Sequence, residues 1–66
     1  MQVRINSEQT DVPQDQTVKA LLAGLGLGGR VVAVELNRKI IPKRQHQHVA
    51  LQEGDELEIV TLIGGG

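Results

Sequence analysis

Apolar residues alternate with polar ones at the start of the chain, with Val3 and Ile5 set between Gln2, Arg4 and Asn6, the period of a strand that buries one face. Residues 2 to 6 are expected to form that strand. Asn6, Ser7 and Glu8 interrupt the pattern with a tight turn, after which Thr10 and Val12 pair back until Pro13 ends the second strand. The period then changes. Val18, Leu21, Leu22 and Leu25 fall at i, i+3, i+4 and i+7, one apolar stripe on a helix, and Thr17 is placed to accept a hydrogen bond from a first-turn N–H as N-cap. Gly24 weakens this helix by up to about 1 kcal/mol relative to Ala, and Gly26, with Gly28 and Gly29 behind it, provides the backbone freedom to stop it.

Residues 31 to 36, "VVAVEL", are too short and too rich in Val for a helix and read as a strand near the centre of a sheet, with Val32, Val34 and Leu36 on one face. Asn37 and Arg38 make the next turn, Ile40 and Ile41 a short segment, and Pro42 a stop. "PKRQHQH" reads as a polar surface loop, Val49 and Leu51 as a minor strand, and Gly54 as a turn residue free to take a positive φ. The last strand puts Leu57 and Ile59 on one face against Glu56 and Glu58 on the other. The order β-β-α-β-(short β)-β describes one α+β domain over residues 1–66: a mixed sheet of four to five strands covered on one face by a single helix. Leu21, Leu22, Val34, Leu57 and Ile59 are expected to supply much of its core.

Composition narrows the chemistry. A 66-residue domain buries only about 60% of its unfolded surface, too little for a deep pocket. Without Cys there is no disulfide framework, thiol nucleophile or thiolate metal site, and without Phe, Tyr or Trp there is no platform for stacking bases. Seven Lys and Arg against eight Asp and Glu, a formal net charge of −1, argue against a nucleic-acid partner. The start "MQVRIN" lacks the features of a signal peptide and no apolar run approaches the ~18 residues of a spanning helix, so no membrane partner and a cytoplasmic location are expected. His46 and His48 at i and i+2 lack the further ligands of a closed metal site and read as solvated loop histidines.

The segments "VAVELN", "IIP" and "GDELEIVTLIGGG" in this element order resemble the ThiS-type sulfur carriers of thiamine biosynthesis, bacterial relatives of ubiquitin, along essentially the whole chain. The resemblance implies a β-grasp fold, with the first and last strands side by side in the middle of the sheet. It also implies a carrier with no catalytic residues and no cofactor of its own. An E1-like enzyme, using ATP and magnesium, would adenylate the carboxylate of Gly66. A persulfide derived from a cysteine desulfurase would supply sulfur to give a thiocarboxylate, and thiazole synthase would receive it. Gly65 and Gly64 would enter the partner behind Gly66, and residues 63–66 would form a mobile tail. Two alternatives stay open: a molybdopterin-type carrier with the same terminal chemistry, and a non-covalent ubiquitin-like interaction module with an incidental glycine tail.

The residues suit such a role chemically. A terminal α-carboxyl has a pKa of about 3.3 to 3.7, and the carboxylate it forms at neutral pH is a poor electrophile that needs activation. Three glycines reach about 10 Å when extended and pass through a channel too narrow for Cβ atoms. If Leu57 and Ile59 face the helix, alternation sends Glu58, Val60 and Leu62 to the open face of the sheet near Val31 and Ala33. These residues, with Ile63, are the expected partner-binding patch at the root of the tail. Charge is uneven as well: Glu53, Asp55, Glu56 and Glu58 cluster before the tail, whereas Arg38, Lys39, Lys43 and Arg44 cluster after the third strand. An acidic edge of this kind steers a basic enzyme surface.

Overall fold

The computed structural model describes residues 1–62. Its elements are β1 (Gln2–Ile5), β2 (Glu8–Asp11), α1 (Val18–Gly24), β3 (Val32–Leu36), β4 (Lys39–Ile40), a 3₁₀ turn (Lys43–Gln45) and β5 (Glu56–Thr61). They form a five-stranded sheet in the order β2-β1-β5-β3-β4. Strand β1 runs parallel to β5, and the other three pairings are antiparallel. The first and last strands are therefore neighbours in the interior of the sheet, as the β-grasp expectation requires.

Both hairpins close through two-residue loops, with Ile5 opposite Glu8 and Leu36 opposite Lys39. Asn6 (φ 50°) and Ser7 (φ 71°) in the first loop, and Asn37 (φ 50°) and Arg38 (φ 70°) in the second, all lie in the left-handed region. Two consecutive positive φ values define the type I′ turn, whose twist matches the strands it joins, and Asn is the side chain that best tolerates the first position. Ile41 N–H donates to Val34 O at 2.9 Å, extending the β3–β4 ladder one bond beyond β4.

The helix begins where expected. Thr17 Oγ1 accepts from Ala20 N–H at 3.1 Å, and the preceding orphan donors of Val18 and Lys19 reach Val49 O (2.9 Å) and His46 O (3.0 Å). It ends at Gly24 with Leu25 as C-cap, at the stop expected from Gly26. Leu27 N–H bonds Leu22 O at 2.8 Å and Gly26 N–H bonds Ala23 O at 3.0 Å, a Schellman motif with Gly26 at φ 78° in the left-handed position. Leu25, expected on the buried stripe, becomes the C-cap and is 46% exposed.

Val18, Leu21 and Leu22 of the helix pack with Val3, Val34, Leu57 and Ile59 of the sheet and with Val12 and Leu51. Two further expectations fail. Residues 49–51 form no strand; an isolated bridge between Thr17 and Ala50 and a bond from Leu51 N–H to Gln16 O (2.8 Å) tie them to the helix start, and Leu51 joins the core. His46 is buried rather than solvated, because its backbone carbonyl caps the helix and its ring Nε2 lies 3.0 Å from Ile41 O. A carbonyl only accepts, so Nε2 donates. His48 is exposed and pairs with the neighbouring Gln47 amide.

Candidate functional site

Strand β5 positions the residues that precede the glycines. Leu57 and Ile59 are buried beneath the helix, so the two-residue period places Glu58 and Val60 on the open face. Val60 lies opposite Ala33, and Leu62 N–H donates to Val31 O at 2.9 Å. Val60 is 53% exposed, Leu62 52% and Val31 67%, which makes one apolar patch at the end of β5. Ile63, Gly64, Gly65 and Gly66 lie outside the described residues.

Beside the patch the open face is charged. Glu58 stands directly opposite Glu35, a like-charge pair that disfavours the sheet slightly when unpartnered. Arg4, Arg38 and Glu56 line the same shallow depression of about 170 Å³. Arg4 Nη1 is 3.9 Å from Glu56 Oε2 with both side chains more than half exposed, so this pair contributes at most about 1 kcal/mol. The acidic run expected as one edge is divided. Glu53 Oε1 accepts from Gln2 N–H at 3.0 Å, and Asp55 accepts from Gln52 N–H (2.8 Å) and Asn37 Nδ2 (3.1 Å). Those two carboxylates hold turns together, leaving Glu56 and Glu58 on the open face.

Two asparagines outside the expected patch hold β5 in line. Asn6 Oδ1 accepts from Ile59 N–H at 2.8 Å and its Nδ2 donates to Ile59 O at 3.1 Å, so the side-chain amide continues the ladder after β1 stops at Ile5. Asn37 acts from the other side: its Oδ1 accepts from Glu56 N–H at 3.0 Å. The signal for both residues was the turn position, which explains their φ but not their contacts. Asn6→Ala removes both bonds to Ile59 and the left-handed preference, and is expected to cost about 1 to 3 kcal/mol in urea unfolding. Asn6→Gly restores the turn but not the clamp, and is expected to stay below wild type.

Among the described residues, no group of three His, Cys, Asp or Glu side chains converges as a metal site, and no helix is long and apolar enough to cross a membrane. The central strand β5 leads in sequence into the glycine segment, and an apolar patch lies at its end. This is a ubiquitin-like β-grasp domain.

The sequence model of the ThiS family matches residues 2–66. Over all 66 residues the chain is 48% identical to a thiazole synthase of Paramagnetospirillum magneticum, of which it covers 20%. It is 38% identical over 66 residues to a thiazole synthase of Magnetococcus marinus, of which it also covers 20%. It is 42% identical over 50 residues to the sulfur carrier protein ThiS of Bacillus subtilis, covering 76% of each chain. Identity to ThiS of Escherichia coli is 30% over the full length of both. The crystal structure of the thiamine biosynthesis protein ThiS from Geobacter metallireducens superposes over the whole of both chains with a TM-score of 0.85 at 26% identity. The chain belongs to the ThiS family.

Proposed function

We propose that this protein is a sulfur carrier of thiamine biosynthesis that acts as a co-substrate of partner enzymes, with the carboxylate of Gly66 as the carrying group. One oxygen of that carboxylate attacks the α-phosphorus of ATP on an E1-like enzyme, which binds the magnesium, and pyrophosphate leaves. A persulfide sulfur then displaces AMP from the acyl adenylate to give an acyl disulfide. A thiol attacks the outer sulfur, leaving a thiocarboxylate on Gly66 and a new disulfide on the donor. Thiazole synthase takes the sulfur from the thiocarboxylate. The enzymes supply the nucleotide site, the magnesium and the thiols for these steps, and the chain, which has no Cys, supplies the carboxylate.

The observation that carries the reading is family membership over residues 2–66 combined with β5 in the interior of the sheet, leading without a spacer into the sequence "IGGG". A strand clamped on both sides aims the segment attached to its end, and glycines minimise the cross-section of a chain that must enter an enzyme. Relatives named thiazole synthase that contain a homologous segment support the synthase as the recipient.

Incubation with the adenylating enzyme, ATP and a persulfide donor is expected to raise the intact mass by about 16 Da, the exchange of one oxygen for sulfur at the terminus. The same spectrum reports whether the native polypeptide ends at Gly66. A mass that never changes overturns the reading. The patch at the tail root docks the adenylating enzyme: Leu62→Asp is expected to keep a wild-type circular dichroism spectrum while adenylation falls by tenfold or more, about 1.4 kcal/mol in binding. Unchanged turnover of that variant removes the patch from the interface.

A further inference from the structure

A second surface borders the tail-root patch and shares Val31 with it. Between α1, the loop before β3 and the 3₁₀ turn lies a groove of about 600 Å³. Its floor is apolar, formed by Leu22, Leu27, Val31 and Val32. Lys19, Arg30, Lys43 and Arg44 line it from three separate segments, and no Asp or Glu does. Those residues are exposed, and none is ion-paired among the described residues. This concentration of positive charge occurs in a chain whose formal net charge is −1. Like charges gathered without a counter-charge repel one another, and an anionic occupant relieves that repulsion.

The buried His46 fixes the shape of the groove. Its carbonyl is bonded by Lys19 N–H and its ring Nε2 donates to Ile41 O, which joins the 3₁₀ turn to the helix start across the groove wall. The groove is therefore built by tertiary contacts rather than by loose loops.

We propose that this groove receives an acidic segment of a partner protein that inserts at least one apolar side chain. The four cations stand on three separate segments, which matches carboxylates spaced along a peptide better than one compact phosphate. The apolar floor gives an inserted Leu-sized side chain a place to lose water.

The test monitors amide shifts of the ¹⁵N-labelled protein with three probes: acetyl-Asp-Glu-Leu-Asp-Glu-Leu-amide, its neutral analogue acetyl-Asn-Gln-Leu-Asn-Gln-Leu-amide, and sodium ATP with inorganic phosphate. The acidic peptide is expected to move the amides of Lys19, residues 27–32 and residues 43–47, and to lose this effect in about 0.5 M NaCl, where exposed pairs are screened. Charge reversal in Lys43→Glu/Arg44→Glu is expected to weaken binding about tenfold or more, and Arg30→Glu, on another segment, to do the same. Equal binding of the neutral peptide, shifts confined to other surfaces, or indifference to both reversals overturns the proposal. Shifts of the same amides by ATP or phosphate, with none from the peptide, overturn it in favour of a small-anion site. Because the readout uses no adenylation, it fails or succeeds separately from the sulfur-carrier reading.

Discussion

Deletion of Gly66 is expected to abolish the gain of about 16 Da while leaving the urea midpoint unchanged. The shortened chain still ends in a glycine carboxylate, so its chemistry is preserved and only its reach changes. One extended residue spans about 3.3 to 3.6 Å. A misplacement of about 1 Å at a reacting centre can cost 10²-fold, so a shortfall of a whole residue predicts a loss of at least that size. Gly66→Ala keeps the reach but adds a Cβ, and a smaller loss from Ala than from deletion would show that length dominates. A truncated protein that still gains the mass at the wild-type rate would exclude Gly66 as the carrying residue. If the protein were instead a non-covalent module, the deletion would leave partner affinity untouched and no mass gain would be seen with either form.

The second large effect is structural. Leu57 is 2% exposed at the centre of the sheet, opposite Leu36 on β3 and beside Ile5 on β1. Leu57→Ala is expected to cost about 2 to 5 kcal/mol through lost transfer energy and a residual cavity. At roughly 0.05 to 0.15 kcal/mol per residue, a domain of this size has only about 3 to 10 kcal/mol in total. Much of the population would then be unfolded near body temperature. Urea unfolding followed by circular dichroism measures this as a lower midpoint with an unchanged slope. Leu25→Ala provides the contrast: on the exposed C-cap it is expected to change stability by less than about 0.5 kcal/mol. Equal effects of the two substitutions would contradict the placement of the core. The same strand that centres the core also leads into the glycines, so loss of Leu57 reaches the tail through the loss of the fold.

Local periodicity made most elements legible. The period-two residues of β1, β3 and β5 and the stripe Val18, Leu21 and Leu22 required no knowledge of neighbours, because burial on one face leaves its spacing in the chain. Thr17 and Gly26 were legible for the same reason: a cap satisfies groups within a few residues. Leu25 fits the stripe equally well yet is exposed, since it is the C-cap rather than an interior residue of the helix. His46 was misplaced because polarity alone assigns a polar run to the surface, whereas this ring finds Ile41 O and its carbonyl finds Lys19 N–H.

The amino-acid order is enough to produce the strand faces, the helix start and the three glycines after β5. Folding in three dimensions was required for the pairing of Asn6 with Ile59, 53 residues away, and for the gathering of Lys19, Arg30, Lys43 and Arg44 around one groove. The division reflects the range of the forces. Side-chain alternation and capping act over two to four residues, while partners across a sheet are selected by burying the most apolar area against a common helix, which is a property of the whole chain.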